Sequence, residues 1–159
     1  RSSDLLFTVV IMHHPVYSNA ANRQNYLVRL FFAHTLRKAD LVFSGHDHNY
    51  ARRLPFVGTN SAQKNYLSKV SPWDERICSG RQLYEYITVE ADTLRMQTCL
   101  FPSDSLYDEI TIVRTEAGHQ YLVTDSLMPE IIELPAKYQD RGDAKVRRFI
   151  NHRAQRTRQ

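Results

Sequence analysis

The hydrophobic pattern of the first fifty residues consists of two apolar runs separated by an amphipathic stretch. Residues 5–12 are almost continuously apolar, which is typical of a strand buried on both faces. Between residues 23 and 38 apolar side chains recur at helical spacing, and Arg37 and Lys38 lie favourably at the negative end of the helix dipole. A second short apolar run occupies residues 40–44. This order predicts a βαβ unit, with two parallel strands joined by a right-handed crossover.

From residue 54 onward the pattern favours strands. We expect short strands at residues 54–57 and 65–70. Two hairpins are predicted further on, from the alternation in residues 83–90 and 93–100 and in residues 109–115 and 120–124. The predicted fold class is therefore α/β, in the form of an α+β sandwich of two sheets in which one βαβ unit is followed by β-hairpins.

Histidines follow both strands of the predicted βαβ unit. His13 ends the first strand, and His46 and His48 follow the second within the segment 45–49. Because the carboxyl ends of parallel strands meet at one sheet edge, we expect these three side chains to converge there. On an extended backbone His46 and His48 would share one side, with Asp47 facing away. Imidazole is a common neutral metal ligand, so the pattern predicts a metal site.

These motifs also resemble those of a known family. The sequence His13-His14-Pro15-Val16-Tyr17, followed about thirty residues later by Gly45-His46-Asp47-His48-Asn49, is similar to the C-terminal half of a calcineurin-like metallophosphoesterase. The purple acid phosphatase-like branch, with His-x-Pro and then Gly-His-x-His, is the most similar. The resemblance covers roughly residues 5–115, and the runs 49–52 and 105–108 agree with it.

The resemblance implies a dinuclear site. His13 and His46 would bind one metal ion and His48 the other, with two divalent or trivalent ions of iron, zinc or manganese in the complete protein. A metal-activated hydroxide would then attack the phosphorus of a phosphate ester.

Other residues of the two motifs receive supporting roles by the same resemblance. His14 would line the pocket or lie behind the ligands, and Asp47 would be structural. Asn49 and Tyr50 are candidates for contact with substrate. No residue is identified as the general acid.

Half of the family pattern does not occur in the chain. The motifs Asp-x-His, Gly-Asp-x-x-Asp and Gly-Asn-His-Glu/Asp are absent, and Gly142-Asp143 lacks the second aspartate that a permuted order would need. Three imidazoles do not complete a centre that requires carboxylate bridges. We therefore expect the chain to be the C-terminal half of a longer enzyme, inactive alone. Its expected partners are a phosphate-ester substrate and the missing N-terminal half of the same protein.

Composition agrees with one globular domain. The 159 residues are 42% hydrophobic, enough for a core, and no run approaches the roughly 18 apolar residues of a membrane span. Cys78 and Cys99 have no metal-binding spacing, and they either bridge or remain buried thiols. Location is not determined by the chain; secretion or a periplasmic address is suggested by the family resemblance only.

The last nineteen residues differ from the rest in charge. Residues 141–159 carry a net charge of +6, so we predict a domain at 1–140 followed by a basic, helical tail. A solvated tail is favoured over nucleic-acid binding, which stays an alternative to the hydrolase, as does a non-catalytic metal-binding or interaction module. His34, His119 and His152 are expected to have no chemical role.

Overall fold

The computed structural model describes residues 6–124 and 127–133, and these contain one helix and ten strands in two sheets. The first sheet has the order β1-β2-β4-β3-β5-β10 and the second the order β6-β7-β8-β9. The elements are β1 (Val9–Met12), α1 (Tyr26–Leu36), β2 (Leu41–Ser44), β3 (Tyr50–Arg53), β4 (Phe56–Gly58), β5 (Arg76–Ser79), β6 (Gln82–Glu90), β7 (Thr93–Phe101), β8 (Ser105–Thr115), β9 (Gly118–Val123) and β10 (Ile131–Ile132). The predicted α+β sandwich is confirmed.

The βαβ unit forms as predicted. β1 and β2 pair in parallel, with Val9 opposite Leu41 and Met12 opposite Ser44. The helix between them begins after Asn25, whose side chain accepts a hydrogen bond of 3.2 Å from the Val28 backbone N–H. One side of α1 packs on the first sheet through Val28, Ala33 and Leu36, against the buried residues Val16, Ala39, Val42 and Phe56.

The main core lies between the two sheets. The first sheet contributes Leu41, Phe43, Tyr50, Val57 and Cys78, and the second contributes Leu83, Leu94, Met96, Tyr107, Ile110 and Ile112. The meander β6-β7-β8-β9 matches the predicted hairpins, because β6 pairs with β7 and β8 with β9 in antiparallel register. Buried positions recur at every second residue in the first part of β7.

The prediction of a strand at residues 65–70 is wrong. Only an isolated bridge between Ala20 and Ser68 occurs there. The backbone of this segment instead forms hydrogen bonds with the loop after β1. They run from Ala21 N to Leu67 O at 2.8 Å and from Lys69 N to Asn19 O at 2.5 Å. The other short prediction, at residues 54–57, falls on the turn between β3 and β4 and on the start of β4.

β1 is not buried on both faces as the sequence predicted. It is an edge strand of the first sheet, and its own residue Ile11 is 83% exposed although the pairing partner of Ile11, Phe43, is buried. Val9 is exposed on the same face. The first sheet therefore extends beyond the second sheet at this edge, and no other described part of the chain covers the exposed face of β1.

Three predictions fall outside the described residues: the domain boundary at residue 140, the basic tail at 141–159, and the absence of a role for His152. Cys78 and Cys99 are both buried free thiols, and burial raises the pKa of Cys78 to about 12. Within the described part of the chain, no helix is both long and apolar enough to cross a membrane.

Candidate metal site

Three histidines converge at the carboxyl edge of β1 and β2. One ring nitrogen from each of His13, His14 and His46 lies within 4.8 Å of the others. His13 Nε2 lies 3.2 Å from His46 Nδ1. The ring of His14 lies 4.2 Å from that of His46 and 5.0 Å from that of His13, between centroids. The parallel pairing of β1 and β2 brings these groups together from two separate loops.

The loop 45–49 does not continue the extended backbone that the sequence suggested. β2 ends at Ser44, and both His46 and His48 adopt left-handed backbone conformations, with φ of +67° and +52°. Such conformations are uncommon for residues other than glycine. They turn the two side chains to different places, because the alternation of an extended strand no longer applies.

His48 consequently lies in different surroundings from His46. Its Nδ1 is 2.8 Å from the carbonyl oxygen of Lys64, and its ring lies 4.8 Å from that of Tyr66. It is not a member of the three-histidine group, whereas His14, which the sequence placed beside the ligands, is one.

Asp47 joins the two loops that carry the histidines. Its carboxylate is buried, and its Oδ2 accepts hydrogen bonds from the backbone N–H groups of Asn19 at 2.6 Å and Ala20 at 3.2 Å. These bonds fix the loop after β2 against the loop after β1, so that His46 is held beside His13 and His14.

Arg23 contacts the site from the segment before α1. Its Nη2 lies 2.6 Å from His46 Nε2 and 3.2 Å from His46 Nδ1, and its guanidinium stacks 4.2 Å from the centre of the Tyr66 ring. Sequence reasoning did not select Arg23 or Tyr66. Arg23 begins the stretch predicted as a helix and Tyr66 lies in residues 65–70, predicted as a strand, and neither residue belongs to a motif.

The electrostatic surroundings keep His46 neutral. Burial is the largest cause that lowers its pKa, followed by the positive charge of Arg23 and then by His14. A neutral imidazole retains the lone pair that a metal ligand needs.

The three imidazoles fit one metal ion. Three histidines with an open fourth position form a common catalytic zinc arrangement. The contact of Arg23 with the His46 ring would have to be released for that ring to bind a metal ion, while a hollow of about 500 Å³ lined by His14, Arg23 and His46 leaves space beside the group. No carboxylate of the described residues joins the group, so they do not by themselves assemble the dinuclear set that the resemblance implies.

Asn49 and Tyr50 are placed in the interior rather than at a pocket. Asn49 Nδ2 donates to Ser68 Oγ at 2.9 Å, and the Tyr50 hydroxyl donates to Asp108 Oδ2 at 2.5 Å. Both side chains are fully buried, so neither presents a surface to a substrate. The expectation of substrate contact differs from the structure because β3 begins at Tyr50 and directs that ring between the sheets.

The remaining described histidines lie away from the group. His34 is exposed on α1. His119 Nδ1 contacts Asp40 Oδ1, and its ring stacks on that of Phe7 with centroids 5.2 Å apart. His119 therefore links β9 to the start of β2.

Neither the protein-family models nor the curated proteins contain a match to this chain. What the protein does is accordingly inferred from its own residues. Its three-histidine group, at the edge where open α/β sheets place their active sites, is the most specific chemical feature of the described chain.

Proposed function

We propose that the protein is a metal-dependent phosphoester hydrolase in which His13, His14 and His46 bind a metal ion. The observation that supports this most directly is the approach of their three ring nitrogens to within 4.8 Å. The reaction class comes from the resemblance of the two motifs to those of calcineurin-like metallophosphoesterases, and the metal is iron, zinc or manganese.

The residues around the group suit a phosphate ester. A bound metal ion brings the pKa of water toward neutrality and offsets charge on phosphoryl oxygens. Arg23 lines the same hollow as His14 and His46, and a guanidinium binds phosphate with two parallel hydrogen bonds. Its release from His46 Nε2 would free the ring for metal and the guanidinium for substrate.

The site is proposed to need carboxylates from outside the described residues. Hard metal ions prefer oxygen ligands, and the group contains only imidazoles. We propose the N-terminal half of a metallophosphoesterase domain as the source, with His48 binding the second ion in the completed site. The exposed apolar side chains Val9 and Ile11 at the edge of the first sheet support a further layer of protein there.

Hydrolysis of an aryl phosphate monoester and diester tests this function. The complete gene product and the 159-residue chain would be assayed with zinc, manganese and iron, each beside His13→Ala and His46→Ala variants. His34→Ala is the matched control, because His34 is exposed and remote from the group.

We expect metal-dependent hydrolysis by the complete product, and little by the shorter chain. Each ligand substitution should lower the rate by more than about 100-fold, beyond the usual effect of losing an outer partner of a metal ligand. Metal binding without hydrolysis would support a non-catalytic metal-binding module instead. Hydrolysis that is unchanged in the variants would contradict the assignment of the site.

A further inference from the structure

A second cleft lies on the helix side of the first sheet. It has a volume of about 810 Å³, within the range of small-molecule sites, and its walls come from α1, the loop after β1 and residues 69–73. It meets the hollow beside the histidines only along Gln24, Asn25 and Tyr26.

Positive charge is concentrated in this cleft. The guanidinium groups of Arg29, Arg37 and Arg53 lie 5.0, 6.0 and 4.9 Å from the centre of the single Tyr17 ring. Lys69 lines the same space, and no acidic residue does.

Only part of this charge is compensated. Arg53 forms an ion pair with the buried Asp74. Arg37 donates a hydrogen bond of 2.7 Å to the Tyr17 hydroxyl, and among the described residues neither Arg29 nor Arg37 forms an ion pair with a carboxylate. Like charges gathered around one ring repel one another, so an anion in the cleft would stabilise the arrangement.

Aromatic surface lies beside the charge. Trp73 is 75% exposed, and Tyr26 is also largely exposed at the wall of the cleft. Exposed aromatic rings provide stacking surfaces for planar ligands such as nucleobases.

We propose that this cleft binds a small aromatic phosphate of the mononucleotide kind. Arg29 and Arg37 would hold the phosphate, and Trp73 would stack on the base. The inference goes beyond the hydrolase, since it involves none of the histidines and requires no metal ion.

The chain contains its own reporter for this binding. Trp73 is its single tryptophan, so a change in tryptophan fluorescence reports an event at the cleft wall. Adenosine 5′-monophosphate would be titrated into the full chain at low salt with excess chelator present. The chelator removes any metal ion from the histidine group, so the titration reports on the cleft alone. A failure to bind adenosine monophosphate would therefore leave the proposed hydrolase untested, and a failure of the hydrolase would leave the cleft untested.

We expect a saturable change with adenosine monophosphate. Adenosine, which lacks the phosphate, and inorganic phosphate, which lacks the ring, should each bind at least about 10-fold more weakly. Arg29→Ala and Arg37→Ala should weaken the nucleotide by a similar factor, because a hydrogen bond to a charged group is lost. Arg114→Ala is the matched control, an exposed arginine on the second sheet outside the cleft.

Arg29 and Arg37 are both exposed, so we expect both variants to fold, and thermal unfolding of each variant checks this. An unsaturable response would overturn the proposal, as would equal affinities in the Arg29→Ala, Arg37→Ala and Arg114→Ala variants. Adenosine that binds as tightly as the nucleotide would overturn the phosphate contact. Inorganic phosphate that binds as tightly would overturn the stacking contact.

Discussion

Single buried carboxylates determine how the loops of this protein are held. Asp47 illustrates this at the candidate metal site, where it accepts two backbone hydrogen bonds from the loop after β1. It lies between His46 and His48 in sequence, yet its carboxylate serves the backbone and not the imidazole group. The position of His46 therefore depends on a neighbouring residue that lies outside the three-histidine group.

Replacing Asp47 tests this dependence. Asp47→Ala would leave the backbone N–H groups of Asn19 and Ala20 without their acceptor, which should lower the free energy of unfolding by about 2–4 kcal/mol. Urea-induced unfolding measures the loss. Asp47→Asn keeps an acceptor oxygen and should lose less, so equal losses in the two variants would contradict this role.

The partly buried carboxyl group of Glu85 should make the stability of the protein depend on pH. It lies on β6, its Oε2 accepts a hydrogen bond of 2.6 Å from Thr59, and its other oxygen has no partner among the described residues. Burial, the largest cause, raises its pKa above the ordinary value of 4.5, and the bond from Thr59 opposes this. The folded state thus holds the proton more tightly than the unfolded state, so its contribution to stability is present below the ordinary value and is lost as pH rises through the folded pKa.

Glu85→Gln should remove this pH-dependent contribution to the free energy of unfolding. Urea-induced unfolding at about pH 4 and about pH 7 would show a smaller loss of stability with rising pH in Glu85→Gln than in the parent chain. Glu90→Gln is the control, because Glu90 is exposed at the end of the same strand. A pH dependence that is unchanged in Glu85→Gln would show that its carboxyl group is solvated in the folded protein.

At the scale of elements, α1 has one packed and one exposed apolar side. Val28, Ala33 and Leu36 pack on the first sheet, while Leu27, Leu30 and Phe31 are exposed. The spacing of apolar residues in the sequence predicted the helix correctly, but it does not distinguish which apolar side chains a neighbouring element covers.

Leu30→Glu tests the exposed side of the helix. Because Leu30 makes no core contact, the free energy of unfolding should change by less than about 0.5 kcal/mol, and aggregation should fall as the apolar patch is interrupted. Chemical unfolding and light scattering measure the two effects. Leu36→Glu, on the packed side, should destabilise strongly; similar effects of the two substitutions would contradict the orientation of α1.

The elements also show what the sequence could predict. Long periodic stretches identified the βαβ unit and the hairpins of the second sheet, and hence the meeting of His13 and His46. The separation of His48 could not be predicted, because it depends on left-handed conformations at His46 and His48 that no glycine marks. Residues 65–70 contain residues that favour strands, such as Tyr66 and Val70, but tertiary hydrogen bonds to the loop after β1 prevail over that local preference.

At the scale of the whole molecule, a buried polar network joins the two sheets. Asp108 of β8 accepts hydrogen bonds from the Tyr50 hydroxyl at 2.5 Å and from Arg52 Nε at 2.8 Å, both on β3. Arg76 of β5 approaches the same carboxylate at 3.7 Å. The charge of Asp108 is thus compensated entirely inside the sandwich.

Asp108→Asn should therefore destabilise the whole domain. Removing the negative charge breaks the buried pair with Arg52, which keeps its ion pair with the partly exposed Glu75. The loss should therefore lie at or below the cost of breaking a buried pair, which is about 3–5 kcal/mol. Thermal unfolding should show a single transition at a much lower temperature. Asp104→Asn, at the exposed turn before β8, should have little effect, and a comparable loss there would contradict the role of the network.

The central claim is that His13, His14 and His46 form one metal site. Calorimetric titration of zinc into the full chain tests it most directly, beside alanine variants of the three histidines and His34→Ala as control. We predict about one ion per chain, with affinity lowered by more than about 10-fold in each of the three variants and unchanged in the control. Absence of zinc binding, or binding that persists in all three variants, would contradict the claim.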